Sequence, residues 1–561
     1  MSNHSFERPM PLPSPRQLRH HARRFYGFIH LSINTFNDRE WGFGDEPAAI
    51  FDPKKFDAEQ LVDSALLAGM TGLILTCKHH AGFCLWPSAY TDYSVKTSPF
   101  RNGRGDMVRE VERACRAAGL EFGVYLSPWD RNHPQYGSPA YIDVYRGQLR
   151  ELLTQYGETF EVWFDGANGG DGYYGGANEK RSIDNRTYYG WNDTWQIVRD
   201  LQPDAVMFSD VGPDVRWVGN EEGIAGDPCW YTMDVGDACP GQADRKLLNG
   251  GDRAGGQWFV PECDVSIRPG WFYHATEDAR VRSVQNLAKL YYASVGRGAN
   301  FLLNLAPDRD GLVPEIDRES LRGLGTWIKR TFATDLAVGA RGQRTAGPAS
   351  APLTVELALR GPQRFNVIEL TEDIARGQRI STWCADAQMP DGQWRPIVGL
   401  TEAVGAQRLI RFAPVTATAV RVRVLAASAE PLLTGVRLFL DAMDTETTPE
   451  PMAIESDLAA TVTQPSPAEL IFDLGHPQAI REVRYTPAAN DRVDRYQIDF
   501  ATSPGDWDST ATLTGEFGNV RANPVAQHVA CSGAPARYLR FTALRFAMGS
   551  NLSPADVGLR S

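Results

Sequence analysis

The sequence predicts an α/β chain in which a (β/α)8-like barrel over residues 24–335 is followed by two all-β sandwiches, at 340–440 and 457–561. Three observations predict it. Apolar, β-favouring runs alternate with segments of helical period between about residue 24 and residue 332. Past residue 340 the helical period disappears and short alternating runs replace it. Histidines, acids and aromatics stand at or just beyond the ends of the early strands, where barrels of this kind assemble their sites.

In order, residues 1–23 are Pro-rich and read as an extended lead-in. FYGFIHLSINTF (25–36) is a strand that delivers His30 at its end. Residues 57–69 have helical spacing, and MTGLILTCKHHAGFCLW (70–86) is a second strand with His79 and His80 past its end. A helix at about 104–118 leads to LEFGVYLSPWD (120–130), which carries Tyr125. A helix at about 139–156 leads to FEVWFDGANGGDGYYGG (160–176), where a β-favouring run meets Asp165 and then glycine-rich sequence. That is the pattern of a buried strand ending in an exposed loop.

A helix at 187–201, the strand AVMFSD (205–210), the strand WFVPECDVSI (258–267) and a helix from about 276 continue the rhythm. NFLLNLAP (300–307) and a helix near 314–331 complete it. LTVELAL (353–359), RFNVIEL (364–370), RLIRFAP (408–414) and AVRVRVLAA (419–427) read as the first sandwich. Residues 441–456 are acidic with two prolines and read as a linker. ELIFDLG (469–475), EVRYTPA (482–488), DRYQIDFATS (494–503) and ARYLRFTAL (536–544) form the second sandwich.

Of the 561 residues, 42% are hydrophobic and 22% charged, an ordinary globular balance. A net charge of −12 with no basic run argues against nucleic acid or an anionic membrane as partner. No stretch reaches the roughly 18 apolar residues of a membrane span. The N-terminus has no apolar run to serve as a signal-peptide core, so the expectation is a cytoplasmic chain, or a periplasmic or secreted one if a leader has been removed. The eight cysteines form no C-x-x-C pair and read as reduced, buried thiols. The 14 Trp and 19 Tyr supply faces on which sugars stack.

His30, the pair Glu40-Trp41, His79-His80, Tyr125, Asp165 and Glu221 form the candidate constellation. Two chemistries suit it. One is metal-assisted hydrolysis with His30, His79, His80 and Asp165 as ligands. The other is glycoside hydrolysis by two carboxylates, with aromatics and histidines binding hydroxyls. Adjacent histidines diverge on an extended segment, and the wealth of Trp favours the sugar.

CKHHAGFCLWPSAYTDYSV (77–95), EVWFDGANG (161–169), RWVGNE (216–221), PGWFYH (269–274), SVGRGANFLLNLAPDRDGL (294–312) and FIHLSINTFNDREWGFG (28–44) resemble the α-L-fucosidases of glycoside hydrolase family 29. The resemblance is collinear over about residues 24–332 and implies a retaining exo-acting fucosidase that needs no cofactor. By position in the motifs it implies Asp165 as nucleophile and Glu221 as acid/base, with Glu222 and then Glu262 as the alternatives. It implies His30, Glu40, Trp41, His79, His80, Tyr125 and Trp271 as groups lining the fucose pocket. NTFNDREWGFG and WVGNE resemble the branch that acts on α-1,3/1,4-linked fucose of branched glycans. A broader or α-1,2 specificity, or a fucose-binding protein without catalysis, is the alternative. Ala81 departs from the family, which commonly has Asp after the paired histidines. FDLG (472–475) and ARYLRF (536–541) resemble discoidin-like, family 32 type carbohydrate-binding modules, a type able to hold a structural calcium; a plain structural lid is the other reading.

Overall fold

The computed structural model describes residues 10–347, 352–443, 458–488, 491–507, 512–517, 527–531 and 533–560. Eight parallel strands close into a barrel: β1 (Phe25–Ile29), β2 (Gly72–Lys78), β3 (Glu121–Leu126), β4 (Glu161–Trp163), β5 (Val206–Ser209), β6 (Val215–Trp217), β7 (Val260–Ser266) and β8 (Asn300–Leu305). Each strand pairs with its neighbours in chain order, and β8 pairs with β1, Phe25 opposite Phe301. The helices between strands have local reasons to start and stop. Asp57 caps Ala58–Ala68 by accepting from the amides of Glu59 and Gln60, and Gly69, left-handed at φ 80°, ends it.

The strand period of two sorts the barrel interior into layers. On β4 and just beyond it Glu161, Trp163 and Asp165 alternate inward, from the closed end of the barrel to its open end. On β7 the same alternation sets Glu262, Asp264 and Ser266. The middle is apolar, with Phe28, Ile74, Tyr125, Trp163, Phe208 and Leu302 in one cluster. Below it Glu262 accepts from Trp163 Nε1 at 2.8 Å and from the Tyr26 hydroxyl. Burial first, and then the neighbouring Glu262 charge, raise the Glu161 carboxyl far above its usual range, which favours its neutral form.

Two features differ from the reading of the sequence. Residues 15–23 are not extended: Pro15–Arg23 is a helix, α1, started by a Ser14–Gln17 capping box with Pro at its first turn. The helix closes the barrel's lower end. Gln17 Nε2 donates to the carbonyls of Asp214 (3.0 Å) and Trp258 (2.8 Å), and buried His20 bonds Tyr26. Second, β5 and β6 are parallel neighbours with only residues 210–214 between them and no helix. Asp214 holds this tight connection, accepting from the Met207 amide at 2.9 Å and from Arg199 at 2.6 Å.

The chain divides into two compact units: one of residues 1–360, 368–410 and 418–437, the other of 361–367, 411–417 and 438–561. After the barrel, a six-stranded antiparallel sheet includes the twenty-residue strands Leu353–Glu372 and Arg408–Ala427. Inside the first unit, Tyr231 Oη accepts from the Ala406 amide (2.9 Å), and Arg408 pairs with Asp227 (2.6 Å). The second unit contains a five-stranded and a three-stranded sheet that share one core, with Phe472, Tyr485, Ile498, Leu539 and Phe541 among its residues. Most of the expected linker, residues 444–456, lies outside the described residues. All eight cysteines are free and buried. Among the described residues no helix is long and apolar enough to cross a membrane.

Candidate active site

A cavity of about 280 Å³ opens at the C-terminal end of the barrel strands. His30, Trp41, His79, His80, Tyr125, Asp165, Glu221 and Trp271 line it, although up to 241 residues separate them in sequence. Trp163 and Phe208 form the floor, their rings stacked with centroids 4.0 Å apart. Trp41, 52% exposed, stands at the rim edge-on to His80 and Trp129.

Asp165 is held by two donors. Tyr125 Oη donates to its Oδ2 at 2.9 Å, and the Ala167 amide donates to Oδ1 at 2.6 Å. His80 Nε2 lies 3.8 Å from Oδ2. Glu221 follows β6 on the same cavity. Burial, and after it the Asp165 charge, push its carboxyl up to about 7. Of the three acids considered for that role, Glu221 alone lines the cavity. Glu222 is fully buried beside it, and Glu262 lies in the lower layer beneath Trp163.

Glu40 is not in the wall. Its carboxylate accepts from the amides of Trp271 (2.8 Å) and Phe272 (3.2 Å) and meets His274 Nε2 at 2.8 Å. It fixes the loop that presents Trp271. The bond to Glu40 is the main reason the His274 imidazole is raised to about 9, and Asp38 on its other nitrogen adds to it.

Two further acids line the cavity. Asp264 accepts from Trp217 Nε1 at 2.7 Å; burial, and then the Glu221 charge, raise it far above the carboxylate range. Asp210 accepts from the Gly241 amide at 2.8 Å, and burial lifts it to about 6. The strand-final position in AVMFSD is a signal for Asp210, whereas Asp264 sits inside a strand buried from end to end. Gly241 is a point of close approach in this wall. With φ +81°, a Cβ there would meet the Gly166 carbonyl oxygen at 2.2 Å, so the loops after β4 and β6 touch backbone to backbone.

Burial disfavours the charged form of the three pocket histidines. Burial lowers His30 to about 3, His79 well below its usual range, and His80 in the same direction. In the neutral form they offer hydrogen bonds rather than charge. Each also has Nδ1 committed: His30 to Asn304, His79 to Asn34, His80 to Ser127. Among the described residues, the group whose candidate metal-ligating atoms converge, within 4.8 Å, is instead His20, Glu161 and Glu262 at the closed end. Acids lining a cavity above an aromatic floor, with histidines around them, suit acid/base and nucleophilic attack on a small polyhydroxylated ligand.

A family model described as Alpha-L-fucosidase matches residues 14–331. The Arabidopsis thaliana protein named Alpha-L-fucosidase 1 is 41% identical over 461 residues, covering 77% of this chain and 88% of its own length. Plasma alpha-L-fucosidase of Rattus norvegicus is 29% identical over 301 residues, 50% of this chain and 56% of its own. A solved glycoside hydrolase 29 family member from an unknown rumen bacterium superposes with a TM-score of 0.74 at 40% identity, over 99% of this chain and 100% of that one. A Ruminococcus gnavus GH29 fucosidase solved in complex with fucose gives 0.68 at 29% identity, over 78% and 97%.

Proposed function

The chain belongs to the α-L-fucosidases of glycoside hydrolase family 29, and from that premise we propose that it removes terminal α-1,3/1,4-linked fucose from branched glycans, with Asp165 as nucleophile and Glu221 as acid/base. Asp165 attacks the anomeric carbon while Glu221 delivers a proton to the departing oxygen. A covalent fucosyl-enzyme forms. Glu221, now the base, takes a proton from the water that releases fucose, and the two inversions retain configuration.

The observation that carries this reading is the pair itself. One carboxylate is oriented by Tyr125 and the Ala167 amide, and on the same cavity stands an acid lifted to about 7. An acid of that pKa carries its proton near neutral pH and releases it readily. The aromatic floor of Trp163 and Phe208 closes the cavity below, so a sugar enters from its chain end and the action is exo. No step in this sequence calls on a cofactor.

The test is azide rescue. Asp165→Gly should lose nearly all turnover and, with azide, yield β-L-fucosyl azide, because azide occupies the vacated face. Turnover like the unaltered enzyme, or an α-azide product, would remove Asp165 from the role. Linkage is read separately, by comparing release from α-1,3/1,4- and α-1,2-fucosylated oligosaccharides; equal rates would refute the branch assignment.

A further inference from the structure

Each of the three pocket histidines has its Nδ1 against a partner whose own hydrogen bonding is already decided. His30 Nδ1 lies 2.8 Å from Asn304 Oδ1. That amide cannot turn over, because Asn304 Nδ2 donates to Ser266 Oγ at 2.9 Å and to the Trp271 carbonyl at 2.8 Å. A carbonyl oxygen only accepts, so His30 Nδ1 carries the hydrogen. His80 Nδ1 lies 2.8 Å from Ser127 Oγ, whose single hydrogen is directed at the Trp129 carbonyl, 2.7 Å away. Ser127 therefore accepts, and His80 Nδ1 also carries a hydrogen.

His79 is the reverse. Its Nδ1 faces Asn34 Nδ2 at 3.4 Å, and Asn34 keeps that nitrogen inward by donating to the Glu40 carbonyl at 2.8 Å. His79 Nδ1 accepts. Burial lowers the pKa of all three rings and so favours the neutral imidazole, which holds one hydrogen only. The Nε2 atoms follow by elimination.

We infer that Asn304, Ser127 and Asn34 are positioning residues that set the pocket's specificity, fixing two acceptors, His30 Nε2 and His80 Nε2, and one donor, His79 Nε2–H, toward the sugar. The identity of the ligand rests on the fucosidase reading above; the placement of the hydrogens does not. Hydroxyls facing His30 and His80 must donate, and the hydroxyl facing His79 is used as an acceptor. His80 Nε2 stands 3.8 Å from Asp165 Oδ2, beyond direct hydrogen-bond distance, so the Ser127 contact and not this one assigns the His80 hydrogen. A substituent able only to accept, such as fluorine, is rejected where the pocket also only accepts, and is tolerated opposite His79.

Neutron diffraction from ligand-free crystals exchanged into D2O reads the hydrogens without any sugar. Deuterium is expected on Nδ1 of His30 and His80 and on Nε2 of His79; deuterium on Nε2 of either His30 or His80 would overturn the inference. In solution, L-fucose and its 2-, 3- and 4-monofluoro analogues compete against an aryl α-L-fucoside. At least two analogues should bind about ten-fold more weakly than L-fucose or worse. In Ser127→Ala, His80 is released to place its hydrogen on Nε2, so the fluorine penalty at one position should collapse while the others persist, and Ser127→Thr should restore it. A variant merely loosened would weaken every ligand alike, and that result, or equal binding of all three analogues by the unaltered enzyme, counts against the inference. If L-fucose itself fails to compete, the functional reading falls and the neutron map alone decides the hydrogens.

Discussion

Replacing Trp271 by Phe should move the alkaline limb of the pH–rate profile upward. Burial and the Asp165 charge raise Glu221 to about 7, while its hydrogen bond with Trp271 acts in the opposite sense, favouring the carboxylate. Phe removes that donor and leaves an aromatic ring beside His30, whose ring centroid lies 5.2 Å from that of Trp271. A hydrogen bond to a charged group contributes about 1.5–3 kcal/mol, and one pKa unit corresponds to about 1.4 kcal/mol. The ceiling is therefore a rise of about one to two units. Glu221 faces an open cavity where water replaces part of the lost bond, so the lower end, about one unit, is expected. As the proposed acid, Glu221 has to be protonated to expel a sugar, so activity is expected to fall as pH rises through its pKa, and a raised pKa to extend activity toward alkaline pH. The assay is kcat/KM against a fucosyl disaccharide from about pH 5 to 10, which reports the free enzyme's groups. A limb that stays in place, or moves to lower pH, would refute the role of Trp271 or that of Glu221.

Glu221→Ala should slow hydrolysis of fucosyl disaccharides by about 10²-fold or more yet spare formation of the intermediate from a dinitrophenyl fucoside, whereas Glu222→Ala should show no such leaving-group dependence; the reverse pattern would shift the assignment by one residue. Arg268→Met should destabilise the fold by about 3–5 kcal/mol, because Arg268 and Asp317 are both fully buried and joined by bonds of 2.8 and 2.7 Å. Adding Asp317→Leu should recover much of that loss in urea titrations, and a single-variant cost under about 1 kcal/mol would disprove the account. The His274 clamp gives a pH signature: with the imidazole raised to about 9, its contribution is fully present below the ordinary histidine range and is lost as pH rises through about 9. His274→Gln should flatten thermal stability across that window, and an unchanged slope would exclude His274 as its source.

Much of the barrel was legible because strand alternation and catalytic placement coincide. Glu161, Trp163 and Asp165 are spaced by two, so a buried strand that points Trp163 inward must also point Asp165 inward at the open end. What escaped reading has physical causes. The β6 strand, Val215–Trp217, is three residues long and follows a tight connection held by Asp214, so neither length nor a preceding helix announces it. In α1 the prolines that suggest extended chain sit where a helix N-terminus accepts them. Glu40 has the residue type and the neighbours of a sugar ligand, but only the positions of the Trp271 and Phe272 amides reveal that its carboxylate is already occupied. Asp264 was hidden by its strand: an acid in a run buried from end to end gives no sign in sequence of the cavity it faces.

The eight buried cysteines have a consequence for the reactivity of the fold. Burial is the first cause lifting every one of these thiols above its ordinary range. The thiolate is the species that attacks disulfides and peroxides and captures soft metals, and here it is both scarce and out of reach. No crosslink among these cysteines is available for a reductant to break, and no exposed sulfur for an oxidant to seize. Chemistry that runs through a cysteine thiolate is therefore suppressed across the fold.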